Sequence, residues 1–145
     1  MLRNPSILSL MMSSSILNIG ITDIEIRGWD AHVGINAAEL DAVKSLIERT
    51  VPAICVHPDF YHDPCFVWTG AKDEDGYGRH RVPAGMGGSA LVHRFIYEKL
   101  AGEIPDGLTV DNACGVRGCC NLRHLRLLPL DLNRELGDHR KIYSR

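Results

Sequence analysis

Cys114, Cys119 and His124 follow one another at x4 spacings inside a turn-rich run, DNACGVRGCCNLRHL. Thiolate and imidazole donors this close together suit tetrahedral zinc. The run supplies three ligands, so a closed structural site needs a fourth, and Cys65 is the best candidate. It opens a short apolar stretch, CFVWTG, that reads as a strand able to lie beside the Cys-rich knuckle. Such a site would hold a small core together and take no part in chemistry. The competing reading is a set of buried free thiols with a surface histidine; spacing and turn chemistry together favour zinc.

Cys120 adjoins Cys119. Neighbouring side chains in extended backbone point opposite ways, so one of the pair belongs to the core. Cys55, His57 and His62 are weighed as a second metal site with Cys65, although loops rich in proline and aspartate commonly carry histidines that bind nothing. Five cysteines is an odd number, which argues against a disulfide framework and for metal binding in a reducing compartment.

The chain of 145 residues fits one domain with an arm. Residues 1–18 read as peripheral. Their apolar stretch loosely resembles a signal peptide, but Ser6, Ser9, Ser13, Ser14 and Ser15 interrupt it and no clear cleavage site follows. No run approaches a membrane span, and a cytoplasmic location is expected. Paired isoleucines at Ile19/Ile21 and Ile24/Ile26 hint at a strand over Ile19–Trp29. Asn36 and Glu39 form a capping box ahead of a helix over Ala37–Arg49, ended by Val51 and Pro52.

A loop runs from Ala53 to Pro64, then comes the CFVWTG strand. Asp75-Gly76 signals a turn, with Tyr77–Val82 as the returning strand. Ala90–Leu100 has a helical apolar period. Leu108–Val110 is a short strand leading into the knuckle, Leu125–Leu130 a last strand, and Asp131–Leu136 a final helix with an Asp N-cap. The expected class is α+β, with an N-terminal strand and helix extension over 1–62 and a second unit over 63–145.

Charge is distributed unevenly. Residues 1–62 hold 4 Lys/Arg and 7 Asp/Glu, while from Arg117 to the end the count is 7 against 3. A basic tail would suit a phosphate-facing surface, as would the hairpin with Arg79, His80 and Arg81. A solvated sheet face accounts for that hairpin equally well.

CFVWTG, DGYGRHRV, VHRFIYEKLAGEIPDGLTVDNACGVRGCCNLRHLRLLP and the later Asn133 together resemble the HNH endonucleases of phages and mobile introns. The cysteine spacing is also similar to that of the His-Cys box homing endonucleases. The resemblance covers about residues 63–136. It implies a ββα-metal (His-Me finger) nuclease fold, in which two strands and a helix grip one divalent cation at the scissile phosphate of double-stranded DNA. Cys65, Cys114, Cys119 and His124 match the structural zinc ligands, and Asn121 matches the residue that supports the active-site loop. Asn133 and Asp111 match ligands of the catalytic cation, expected to be Mg²⁺ or similar. Arg94 matches a position that helps neutralise the phosphate.

The sequence departs from the family at one decisive position. The family's general base is a histidine two residues before the first knuckle cysteine, and here that residue is Asn112. A carboxamide cannot take a proton near neutral pH, and losing a positioned base costs roughly 10²–10⁴ in rate. Three explanations remain. The chain is an engineered inactive variant, which the otherwise intact site favours; or it is a natural relic that binds DNA without cutting; or His93 or His80 serves as the base. Asn112 also has a plain reading as a turn residue capping the knuckle. The expected function is thus a metal-dependent, homing or nicking DNA endonuclease crippled at its base. A DNA-binding module and a zinc-stabilised protein-interaction domain are the competitors. A homodimer would suit a palindromic target, a monomer nicking.

Overall fold

The computed structural model describes residues 35–140. The strand expected over Ile19–Trp29 and the arm before it lie outside them. Three helices and two short antiparallel sheets make up the described part: α1 (Ala37–Ile47), β1 (Thr50–Ala53), β2 (Cys65–Trp68), α2 (Val92–Leu100), β3 (Leu108–Asn112), β4 (Leu125–Pro129) and α3 (Leu130–Arg140). The α+β class read from the sequence holds.

α1 starts where its capping box predicts. Asn36 Oδ1 accepts from Glu39 N–H at 2.9 Å, and Asn36 N–H donates to Glu39 Oε2 at 3.1 Å. Glu39 also takes Lys99 Nζ at 3.0 Å, tying α1 to α2. The helix buries Val43, Leu46 and Ile47; α2 buries Val92, Phe95, Ile96 and Leu100. These side chains meet Phe66 and Trp68 of β2 and the Cys120 thiol in one core. The described part of the segment before residue 63 is therefore built into the same core as the rest.

Two local expectations are corrected. Thr50–Ala53, read as the end of a helix and the start of a loop, is a strand paired antiparallel with β2, Thr50 opposite Trp68 and Ala53 opposite Cys65. Pro52 is tolerated because β1 is an edge strand, where a missing N–H breaks no inner ladder. Conversely, Tyr77–Val82 forms no strand; Gly78 and Arg79 make isolated bridges to Lys72 and Leu91. The reason is the Trp68 indole. A Cβ on Gly78 would stand 2.7 Å from Trp68 Cδ1, so the chain passes flat over the ring in place of pairing along its length. Arg49 covers the ring, 4.4 Å from its centroid, and the indole Nε1 donates to Ala71 O at 2.9 Å.

β3 and β4 form the second sheet, with Asp111 opposite Arg126 and Asn112 opposite Leu125. The knuckle is the connection between them, and α3 follows β4 directly and packs on both strands. α3 begins one residue before the expected Asp131 cap, which falls in its first turn. No described helix is long and apolar enough to cross a membrane.

Candidate metal centre and strand site

Backbone hydrogen bonds pin the knuckle to β2. Trp68 N–H donates to Gly118 O at 2.9 Å, and Cys120 N–H donates to Phe66 O at 2.8 Å. This antiparallel bridge, centred on Val67 and Cys119, sets Cys65 at the knuckle although 49 residues separate it from Cys114. Cys65 Sγ lies 3.8 Å from Cys114 Sγ and 3.7 Å from His124 Nδ1; Cys119 Sγ lies 3.5 Å from the same nitrogen. All four predicted ligands are thus together, and all are buried. Cys120 faces the apolar core, as the alternation of neighbours requires.

The spacing fits a four-coordinate ion. Sulfurs at the usual bond length of about 2.3 Å from tetrahedral zinc stand roughly 3.8 Å apart. Electrostatics point the same way. Hydrogen bonding to Cys114 and Cys119, together with burial, pushes the Cys65 thiol up. Burial opposes ionisation of Cys119, yet hydrogen bonds from the Cys114 and Cys65 thiols and from the backbone bring it well below the ordinary thiol value. Crowded thiols cannot share several negative charges without a cation among them.

The side of the His124 ring away from the thiols is also engaged. Its Nε2 is 3.4 Å from Asp63 Oδ2. Asp63 Oδ1 accepts from Arg123 Nη2 at 2.7 Å and from Asn121 Nδ2 at 3.3 Å. Burial alone would raise the Asp63 carboxyl, but His124 and the Arg123 guanidinium hold it below the usual carboxylate value. At His124 burial is the largest single influence and lowers the imidazole, but the Asp63 and Cys114 contacts together outweigh it and raise it. The Asp63–His124 contact has ion-pair distance without hydrogen-bond geometry, and it sets a carboxylate where a ligand histidine of a zinc site usually finds its support. Asn121, fully buried, donates to Pro64 O at 2.8 Å and accepts from Arg123 N–H at 3.0 Å, joining the knuckle to the loop before β2.

Cys55 enters this same cluster. The ligand atoms of Cys55, Cys65, Cys114 and His124 all lie within 4.8 Å of one another. The separate site weighed for Cys55 with His57 and His62 does not form. His57 Nδ1 instead caps the turn at Asp59 N–H, 3.1 Å away, and the His62 ring lies tilted against that of Tyr61.

The strand residues lie apart from the thiols. Asp111 Oδ2 accepts from Arg126 Nε at 2.9 Å across the β3–β4 ladder, and Asp111 is buried. Asn112, also buried, donates its Nδ2 to Cys119 O at 2.8 Å. Arg94 Nη1 reaches Thr109 Oγ1 at 3.4 Å, two residues along β3 from Asp111. Asn133 is half-buried near the start of α3, the helix that packs on β3 and β4. Arg79 and Arg81 are exposed, whereas His80 is half-buried, its Nε2 2.8 Å from Ser89 O and its ring against Phe95. His93 is buried and stacked on Tyr77; burial first, then the Arg94 charge, lowers its imidazole to about 4.

Reasoning from sequence missed Asp63, Arg126, and the cations Lys72 and Arg117. The last two line a cavity of about 440 Å³ with Asp75, Gly76 and Gly118. Arg117 donates to Asp75 O at 2.7 Å and lies over Tyr77. Asp63 had one usable signal: a ligand histidine generally requires a carboxylate or carbonyl partner, and the loop before Cys65 offers only Asp59 and Asp63.

Comparison with known proteins finds a family and two phage relatives. Residues 90–133, from just before α2 to Asn133, match the family described as HNH endonuclease. The uncharacterized gene 5.3 protein of Enterobacteria phage T3 is 38% identical over 61 residues, 40% of this chain and 60% of that protein. Protein 7.7 of Escherichia phage T7 is 38% identical over 65 residues, 45% of this chain and 48% of that protein. The matched regions span about half the length of these phage relatives. No solved structure matches the chain. The resemblance to HNH endonucleases read from the sequence is borne out over 90–133, the run that carries the knuckle, both strands of the second sheet and the start of α3.

Proposed function

We propose that this chain is a DNA-directed nuclease of the HNH type whose cleavage is crippled at the general base. The observation that carries the reading is where the family match falls. The segment matching the HNH endonuclease family runs from just before α2 through β3, the knuckle and β4 to Asn133 in the first turn of α3, and so takes in Asp111, Asn112 and Asn133. In this reading β3, β4 and α3 are the ββα-metal unit. Cys65, Cys114, Cys119 and His124 hold a structural zinc. Asp111 and Asn133 would hold a catalytic Mg²⁺, which would supply positive charge to the phosphoryl oxygens.

The protein's own groups define the rest. Arg126 neutralises Asp111 across the ladder, and Arg94 stands at Thr109, two residues along the same strand, to meet phosphate. Arg79, Arg81, Lys72 and Arg117 offer further cations to a DNA backbone. Asn112 commits its amide to the knuckle carbonyl and has no proton-accepting nitrogen. Of the two alternative histidines, His93 is the poorer base, buried with its imidazole lowered to about 4, whereas His80 donates Nε2–H to Ser89 O and so keeps Nδ1 as an acceptor. The two phage relatives make the interior of an infected bacterium the natural setting.

The same Asn112 contact favours a second reading, a DNA-binding module that keeps the fold without the chemistry. A supercoiled-plasmid assay with Mg²⁺, run on the chain and on Asn112→His, tests both. Nicking or linearisation by the histidine variant alone supports the crippled nuclease. Cleavage by both means that another residue supplies the base. DNA binding by both without cleavage gives the second reading the lead, and no DNA affinity at low salt removes both.

A further inference from the structure

Zinc takes four ligands in a closed structural site, yet five donors converge here: Cys55, Cys65, Cys114, Cys119 and His124. We infer that Cys55 is a reserve fourth ligand, able to complete the site with Cys65, Cys114 and His124 when Cys119 does not. The inference rests on the zinc reading of the same cluster and deepens it.

Three observations carry it. First, Cys55 meets the distance condition as a full member, its Sγ within 4.8 Å of the other three ligand atoms. Second, Cys55 and Cys119 arrive on different supports. The β1–β2 register sets Ala53 opposite Cys65 and so delivers Cys55 two residues beyond the ladder, whereas Cys119 is delivered by the knuckle bridge to Val67. Either can therefore be lost without moving the other's backbone. Third, the chain contains a plain buried thiol for contrast. Cys120 sits among Phe66, Trp68 and the helix side chains, its sulfur 3.6 Å from Gly118 O. Cys55 is as deeply buried but packs on thiols, closed over by Phe60, Val67 and Val116. Whichever of Cys55 and Cys119 binds gives up its proton, and the other keeps its own, so the charge of the site is the same in both arrangements.

The test uses the full chain and the variants Cys55→Ser, Cys119→Ser, Cys65→Ser and Cys55→Ser/Cys119→Ser. Zinc affinity is read by chelator competition, and the thiolate count by the charge-transfer bands of Co²⁺ in place of zinc. The expected result is one equivalent of metal and a three-thiolate cobalt spectrum in the parent and in the Cys55→Ser and Cys119→Ser single variants. Their affinities should fall by no more than an outer-shell change costs, about 10–100-fold. The double variant should lose far more than the product of the two single effects. Loss of metal or folding in Cys119→Ser as complete as in Cys65→Ser overturns the inference, because Cys55 has then failed to replace it. Equal loss in Cys55→Ser overturns it as well, since that thiol is then obligatory. If the parent chain itself takes up neither zinc nor cobalt, the zinc reading fails and the reserve ligand fails with it.

Discussion

Asp63 Oδ2 lies 3.4 Å from His124 Nε2, on the side of the imidazole away from the thiols. A buried carboxylate in that place would fix which nitrogen faces a bound metal and strengthen the ring as a donor. Asp63→Asn keeps the shape and removes the charge. Metal affinity measured by chelator competition should drop about 10–100-fold. An unchanged affinity would mean that Asp63 serves only Arg123, which it also holds at 2.7 Å.

His93 carries a pH prediction. Its imidazole is lowered to about 4 from an ordinary 6.5, mainly by burial. The unfolded chain therefore binds a proton that the folded chain refuses. His93's contribution to stability is fully present above about 6.5 and is lost as pH falls towards 4, with a total of about 3 kcal/mol. Urea melts of the parent and of His93→Phe between pH 7.5 and 4.5 read the difference directly. The variant's stability should fall less steeply with acid; parallel curves would assign the acid sensitivity elsewhere.

Asn112 ties the end of β3 to the knuckle through Cys119 O, 2.8 Å from its Nδ2. Asn112→Ala leaves that buried carbonyl short of a donor, which costs about 1–3 kcal/mol. Denaturant unfolding of the zinc-loaded chain should show a lower midpoint. A midpoint equal to the parent's would mean that the carbonyl finds another donor.

Lys72 and Arg117 line the cavity beside the knuckle. If their heads meet phosphates, removing either should weaken binding about uniformly across DNA sequences and reduce the salt slope by about 1. A filter-binding titration of Lys72→Ala and Arg117→Ala at several salt concentrations measures both quantities. A salt slope identical to the parent's would place the DNA on another face.

Regular spacing was the part of the fold legible in the sequence. The Asn36–Glu39 box, the period of α2 and the Cys114-x4-Cys119-x4-His124 run each set their element within a residue or two. Two features were hidden because tertiary contacts decide them. Thr50–Ala53 has little strand signal of its own and gains it from pairing with Cys65–Trp68. Tyr77–Val82 has strand-like residues, but Gly78 must lie against Trp68. In the site, ligand spacing pointed to the metal cluster, and Cys55 was weighed with Cys65 but alongside His57 and His62, whereas long-range packing sets it beside Cys114 and His124 and brings Asp63 to the far side of the ring. The Asp111–Arg126 pair was likewise invisible until the β3–β4 register was known.

The bridge between β2 and the knuckle has a further consequence for how the chain is tethered. Cys65 meets Cys114 and His124 across 49 and 59 residues. A metal that joins them acts as a cross-link and closes a loop that encompasses all of α2 and β3. By the loop-closure relation, a link of that length removes about 4 kcal/mol of conformational freedom from the unfolded chain. A metal bound there would therefore stabilise parts of the core it never touches, and its removal should be felt as far away as the packing of α1 on α2.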